Sequence, residues 1–131
     1  MNSIVHFEIQ ATDPEKLVSF YQDVFGWEIK KWEGGQMEYW LVMTAPKGTP
    51  GAINGGLLRR NAPAAGKGVS PNAFVCTLEV ESIDAVMKKA EAHGATEAMP
   101  KMAIAGMAWQ AYMMDPDGNL FGLHQVDKDA K

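Results

Sequence analysis

The sequence predicts an α+β fold in which a βαβββ module occurs twice. Three observations predict it. Two runs of alternating apolar and polar residues stand sixty-nine positions apart, each is followed at the same distance by a helix-start signal, and each helix is followed by three more strand-like runs. At 131 residues, 47% hydrophobic and 21% charged, the chain has the size and composition of one globular domain. The expected organisation is a single domain over 1–131, with module one at 3–58, a linker at 59–72 and module two at 73–126.

The first run places Val5, Phe7, Ile9 and Ala11 on one face and His6, Glu8 and Gln10 on the other, the signature of a half-buried strand. Its counterpart sets Phe74, Cys76, Leu78 and Val80 against Val75, Thr77 and Glu79. Asp13 is a suitable N-cap, with Pro14 at the first helical position and Glu15 near the positive end of the dipole. Leu17, Phe20, Tyr21, Val24 and Phe25 then form a helical stripe that stops at Gly26. Ser82 caps the second helix, which carries Val86, Met87 and Ala90 and stops near Gly94. Strand-like runs follow at 27–32, 37–43 and 52–58, and again at 96–104, 107–114 and 120–126. Gly34-Gly35, the 46–51 loop, Ala105-Gly106 and the turn Asp115-Pro116-Asp117-Gly118-Asn119 separate them. Met37, Tyr39 and Met43 recur seventy positions on as Met107, Trp109 and Met113. A module of about sixty residues buries too little apolar surface to offset its chain entropy comfortably, so two must share a core, within one chain or between chains.

Composition removes several functions. Twelve Lys and Arg against sixteen Asp and Glu give a net charge of −4, and Arg59-Arg60 is the only dense basic spot, so nucleic acid is not expected as a partner. No apolar run approaches the ~20 residues that cross a bilayer, and the opening residues lack a basic segment followed by an apolar one. No membrane partner and a cytoplasmic location are the expectations. Cys76 is the sole cysteine, which excludes an internal disulfide and a cysteine zinc cage; on the apolar face of its strand it reads as an inert thiol. The 115–119 turn lacks the Gly and Glu spacing of a calcium loop, and 51–56 lacks the Lys and hydroxyl of a phosphate loop.

Three segments carry a resemblance to a known family. The strand and helix His6-Phe7-Glu8-Ile9-Gln10-Ala11-Thr12-Asp13 and Phe20-Tyr21-Gln22-Asp23-Val24-Phe25-Gly26-Trp27, the helix start Val80-Glu81-Ser82-Ile83-Asp84-Ala85, and the closing turn and strand from Asp115 to Leu123 resemble the vicinal oxygen chelate superfamily. That superfamily includes glyoxalase I, extradiol dioxygenases, methylmalonyl-CoA epimerase, fosfomycin-resistance enzymes and bleomycin-resistance proteins. The resemblance implies a concave, partly closed mixed β-sheet with the helices outside. It also implies four inward-facing ligand positions for a divalent metal, which fall here on His6, Val75, Gly122 and the neighbourhood of Gly55-Gly56. One imidazole cannot hold an ion that normally takes about three protein ligands. No cofactor is therefore expected. A divalent metal stays open only through a displaced site of His6, Glu8 and His124, two histidines that would face one cavity if the last strand lies near the first.

The candidate ligand-binding residues are His6, Glu8, Trp40, Thr77, Trp109, Gly122 and His124. No metal ligand is assigned, and His6 is the one catalytic candidate. His6 beside Glu8 reads either as a pocket-lining imidazole able to act as acid or base, or as a half-buried histidine bonded to a neighbour. Gly122 and Gly55-Gly56 mark either volume opened for a ligand or close strand packing. Trp40 and Trp109, with Met43, Met107 and Met113, read either as an aromatic cleft or as core. His93 suits a helix C-terminus, and Trp27 suits packing. The expected protein is a homodimer that binds a small apolar or aromatic metabolite without the family's metal. The rivals are a lyase, isomerase or dioxygenase-type enzyme, with a displaced metal or with His6 in acid–base chemistry, and a structural module whose cavity its own side chains fill.

Overall fold

The computed structural model describes residues 2–64, 74–114 and 119–131. The elements are β1 (Ile4–Ala11), α1 (Pro14–Phe25), β2 (Glu28–Lys31), β3 (Trp40–Met43), β4 (Asn54–Arg59), β5 (Val75–Glu79), α2 (Ile83–Ala92), β6 (Thr96–Ile104), β7 (Ala108–Met114) and β8 (Leu120–Val126). This is the βαβββ order twice over. The contacts divide the chain into two compact units, His6–Phe74 and Met1–Val5 with Val75–Lys131. Of the turn anticipated at 115–119 all but Asn119, and most of the linker, lie outside the described residues.

In the first unit β1 pairs in parallel with β4, β4 antiparallel with β3, and β3 antiparallel with β2. The register sets Phe7 opposite Gly55 and Ile9 opposite Leu57, while Leu57 faces Trp40 and Gly55 faces Val42. Those side chains share one face and form a core of Phe7, Ile9, Ala11, Ile29, Trp40, Val42 and Leu57, on which Leu17, Val18 and Tyr21 of α1 pack. Asp13 accepts the Lys16 N–H at 3.2 Å, and Gly26 closes the helix at φ 69°. Gly55 permits close packing: a Cβ there would run into the Phe7 carbonyl and ring.

The second unit repeats the plan. β5 pairs in parallel with β8, β8 antiparallel with β7, and β7 antiparallel with β6. Val80, Ile83, Met87, Ala111, Met113 and Leu123 form its core. Ser82 Oγ accepts the Ala85 N–H at 3.2 Å, and Gln125 Oε1 on β8 accepts the Ile83 N–H at 2.9 Å, so the sheet itself satisfies one orphan donor of α2. At the other end the Gly94 N–H bonds the Glu91 carbonyl and the Ala95 N–H bonds the Ala90 carbonyl, with Gly94 at φ 96°. That is the Schellman closure which a helix-ending glycine favours.

One expectation of register is corrected. The third-strand repeat was predicted to start at Met37 with an offset of seventy, making Tyr39 the counterpart of Trp109. Instead β3 begins at Trp40, and Trp40 and Trp109 both pack with their unit's core, keeping the offset at sixty-nine. Before β3 the Trp32 indole covers Gly34 and Gly35, where a Cβ would come within 2.9 Å and 2.7 Å of the ring, and the Trp32 backbone N–H bonds the Tyr39 carbonyl at 2.8 Å.

Candidate functional site

Each sheet has a second face, opposite its helix, and the sequence-predicted polar residues occupy it. In the first unit that face holds His6, Glu8 and Gln10 of β1 beside Asn54, Gly56 and Leu58 of β4, since paired residues share a face. Tyr39, one residue before β3, has the parity of Leu41 and reaches over Gly56. Its hydroxyl lies 2.9 Å from His6 Nε2. A Cβ on Gly56 would collide with the phenol, so the glycine is what lets the tyrosine lie across the sheet. Glu8, opposite Gly56 in the register, is buried at 7% exposure.

In the second unit the corresponding face holds Thr77 and Glu79 of β5, Gly122 and His124 of β8, and Gln110 and Tyr112 of β7. Thr77 sits opposite Gly122, as Glu8 sits opposite Gly56. A Cβ on Gly122 would strike the Thr77 hydroxyl and approach Gln110 Nε2 to 3.2 Å. Gln110 Oε1 lies 3.0 Å from His124 Nδ1. With the amide oxygen as acceptor that bond requires Nδ1–H, which leaves His124 Nε2 as the acceptor nitrogen. Thr77 Oγ1 is buried without a hydrogen-bond partner among the described residues.

The two tryptophans predicted to line a cavity lie on the other side of their sheets. Trp40 is 5% exposed within the first core, and Lys31 Nζ stands 5.3 Å from its ring centroid. Trp109 packs against the second core, donates from Nε1 to Asp127 Oδ2 at 2.9 Å and carries Lys101 Nζ at 4.7 Å from its ring. The reason is strand parity: Trp40 alternates with Leu41, and Trp109 with Gln110. The Asp129 N–H first, and then the Trp109 indole N–H and the Lys101 ammonium, hold the Asp127 carboxyl below its ordinary pKa. The residues that replace the tryptophans on the polar faces are Tyr39, which the sequence marks only as part of the repeat, and Gln110, which it does not mark. Applying the sixty-nine-residue offset to Trp40 and Trp109 would have exposed the parity.

The metal positions implied by the family resemblance can be tested on this geometry. In the first unit His6 supplies a nitrogen, but Gly56 brings no donor and the space above it is taken by Tyr39. In the second unit Val75 and Gly122 bring none, and Thr77 and Gln110 crowd the space over Gly122. Among the described residues no three His, Cys, Asp or Glu side chains converge on a common point. Among the described residues, those at these positions do not supply the family's set of ligands.

The match to known proteins is at the level of family and fold. The model of the Glyoxalase/Bleomycin resistance protein/Dioxygenase superfamily matches residues 3–123, and the chain belongs to that superfamily. None of the curated proteins matches it. Among solved structures it is similar to a glyoxalase/bleomycin resistance protein/dioxygenase superfamily member from Vibrio splendidus 12B01, at 21% identity and TM-score 0.62, covering 95% of this chain and 99% of that one. A Streptomyces coelicolor methylmalonyl-CoA epimerase variant in complex with 2-nitronate-propionyl-CoA shares 20% identity at TM-score 0.62, over 96% of this chain and 98% of the other. The Mn(II)-bound glyoxalase from Novosphingobium aromaticivorans shares 24% identity at TM-score 0.60; the match covers 99% of this chain but 41% of the glyoxalase.

Proposed function

We propose that the protein binds a small organic molecule, with an apolar or aromatic body and a hydrogen-bonding end, without the metal of its relatives. The observation that carries this reading is the His6–Tyr39 pair. The imidazole nitrogen and a phenol hydroxyl meet at 2.9 Å above a glycine, where the family's arrangement calls for a ligand. An imidazole and a phenol set side by side are the kind of polar groups that recognise a carbonyl or hydroxyl by hydrogen bonding, a recognition that needs no ion. Glu8 in the first unit, and Thr77, Gly122 and His124 in the second, belong to the same proposal, each as part of its own unit's polar face. The epimerase complexed with 2-nitronate-propionyl-CoA supports an acyl compound as the kind of molecule to test first. A homodimer in the cytoplasm completes the reading. The dimer has support in the exposed apolar surface at the C-terminal end of α1, where Val24 and Phe25 are 57% and 58% exposed. No helix among the described residues is long and apolar enough to cross a membrane.

A second reading follows from the same bond. Tyr39 beside His6 is a pair through which a proton could pass, so acid–base chemistry on a bound carbonyl compound is the alternative to simple binding.

A thermal-shift screen of divalent ions and planar or acyl metabolites tests the proposal, since a molecule that binds only the native state must raise stability, by about 2.7 kcal/mol at a hundredfold excess over Kd. The expected outcome is no shift from manganese, zinc or magnesium and a shift from an organic compound that Tyr39→Phe reduces. A stoichiometric ion in protein purified without chelators, lost in His6→Ala, would overturn it.

A further inference from the structure

Arg59 and Arg60 are adjacent in sequence but differ in what they contact. Arg59 reaches Glu38 Oε2 from Nε at 3.1 Å and the Thr12 carbonyl from Nη1 at 3.3 Å, so its charge is matched. Arg60 is held in place by neutral groups: its backbone N–H bonds the Ala11 carbonyl at 2.9 Å, and Nη2 donates to the Gln10 carbonyl at 2.7 Å. Its Nε is buried with no partner among the described residues. Neither Arg60 nor Lys16 forms an ion pair among those residues. Both line an open pocket of about 500 Å³ whose wall includes Leu17 and the exposed ring of Phe20. Asp13 also stands on the rim, but one of its oxygens is committed to the Lys16 N–H. The lining thus carries two unmatched cations against one carboxylate in use as a helix cap.

A guanidinium and an ammonium that line one pocket without a matching carboxylate are best completed by an anionic oxygen, because charge-assisted bonds to arginine are short and strong. We propose that this pocket is a binding site for a small organic anion, its phosphate or carboxylate end on Arg60 and Lys16 and its apolar body against Leu17 and Phe20. The site is separate from the His6–Tyr39 face and does not depend on it.

The test is a titration of the full chain, followed by amide NMR, with phenyl phosphate, benzoate and inorganic phosphate. Saturable shifts around residues 10–20 and 60 are expected from phenyl phosphate or benzoate, with inorganic phosphate weaker because it has no apolar body. Arg60→Gln should weaken the organic anion about tenfold and Lys16→Gln about threefold, while Arg60→Lys, which keeps the charge but not the fork, should fall between wild type and Arg60→Gln. Affinity should also drop with added salt. Tyr39→Phe should titrate like wild type, so failure at the other face would leave this result intact. Lys16 is exposed, so its variant keeps the test decisive should Arg60→Gln unfold. No saturable shift with either organic anion, equal affinity in wild type and Lys16→Gln, or inorganic phosphate binding as tightly as phenyl phosphate would overturn the proposal.

Discussion

The two units follow one plan and finish it differently. Each has a strand pair in which a β4 or β8 glycine sits opposite a residue of β1 or β5: Gly56 opposite Glu8, and Gly122 opposite Thr77. In the first unit a side chain from outside the strand, Tyr39, lies across the glycine and bonds His6. In the second, residues of the sheet close over the glycine, and the bond runs between neighbouring strands, Gln110 to His124. The two units therefore share the frame and the core face and differ in the side chains that meet on the polar face. In both units a neighbouring side chain stands where a Cβ on the glycine would be, the Tyr39 phenol in the first and the Thr77 hydroxyl in the second.

The core faces should respond alike and strongly. Trp40→Ala empties a site that is 5% exposed and should cost about 3–5 kcal/mol in a urea unfolding experiment. Trp109→Ala, at a half-buried position, should cost less, about 2 kcal/mol. If the two lose the same stability, the second core is packed as tightly as the first.

The glycines come next. Gly55→Ala drives a Cβ into a backbone carbonyl and should cost about 3 kcal/mol, since a carbonyl held in a strand cannot swing aside as a side chain can. Gly56→Ala meets a side chain that can swing away, so a loss of about 1–2 kcal/mol is expected. Its specific mark is release of Tyr39 from His6, visible as a change in the His6 ring resonances. An unchanged His6 signal would show that the phenol does not rest on Gly56.

The sharpest contrast between the units lies in two conservative changes. Tyr39→Phe deletes the hydrogen bond to His6 and should cost about 1 kcal/mol. Thr77→Val replaces a buried hydroxyl that has no partner among the described residues, and it should be neutral or stabilising by up to about 1 kcal/mol. A loss in Thr77→Val comparable to that in Tyr39→Phe would mean that the hydroxyl is bonded after all and that the two faces are equally finished.

The smallest effect is confined to the second unit and to acid. The folded state lowers the Asp127 pKa, so the stabilisation is complete above the ordinary carboxylate range and is lost as pH falls through the folded value. Trp109 fluorescence should stay constant across neutral pH and change only in strong acid, and Asp127→Ala should abolish that acid transition while leaving Trp40 unaffected. A Trp109 transition at or above the ordinary carboxylate range would contradict the lowered pKa.

Much of the fold was legible because it rests on local signals. Alternation located β1 and β5, Asp13 and Ser82 located the helix starts, and Gly26 and Gly94 located their ends. These are properties of a few consecutive residues and survive without knowledge of distant partners. The site was less legible. Alternation put His6, Glu8, Thr77, Gly122 and His124 on polar faces, yet it gave no means of telling which tryptophan faces the core, because both faces of a strand can be apolar. For Trp40 and Trp109, offered as cleft candidates with core packing as the alternative, the core reading holds.

The sequence by itself determined the element order, the doubled module and the lack of the family's ligand types at Val75, Gly122 and Gly55-Gly56. Only the tertiary structure decided that Tyr39 covers Gly56, that Gln110 holds His124, and that Arg60 differs from Arg59. Each of these joins residues that are far apart along the chain or distinguishes neighbours by their distant partners. Pairing of that kind is set by register and packing across strands, which no local pattern encodes.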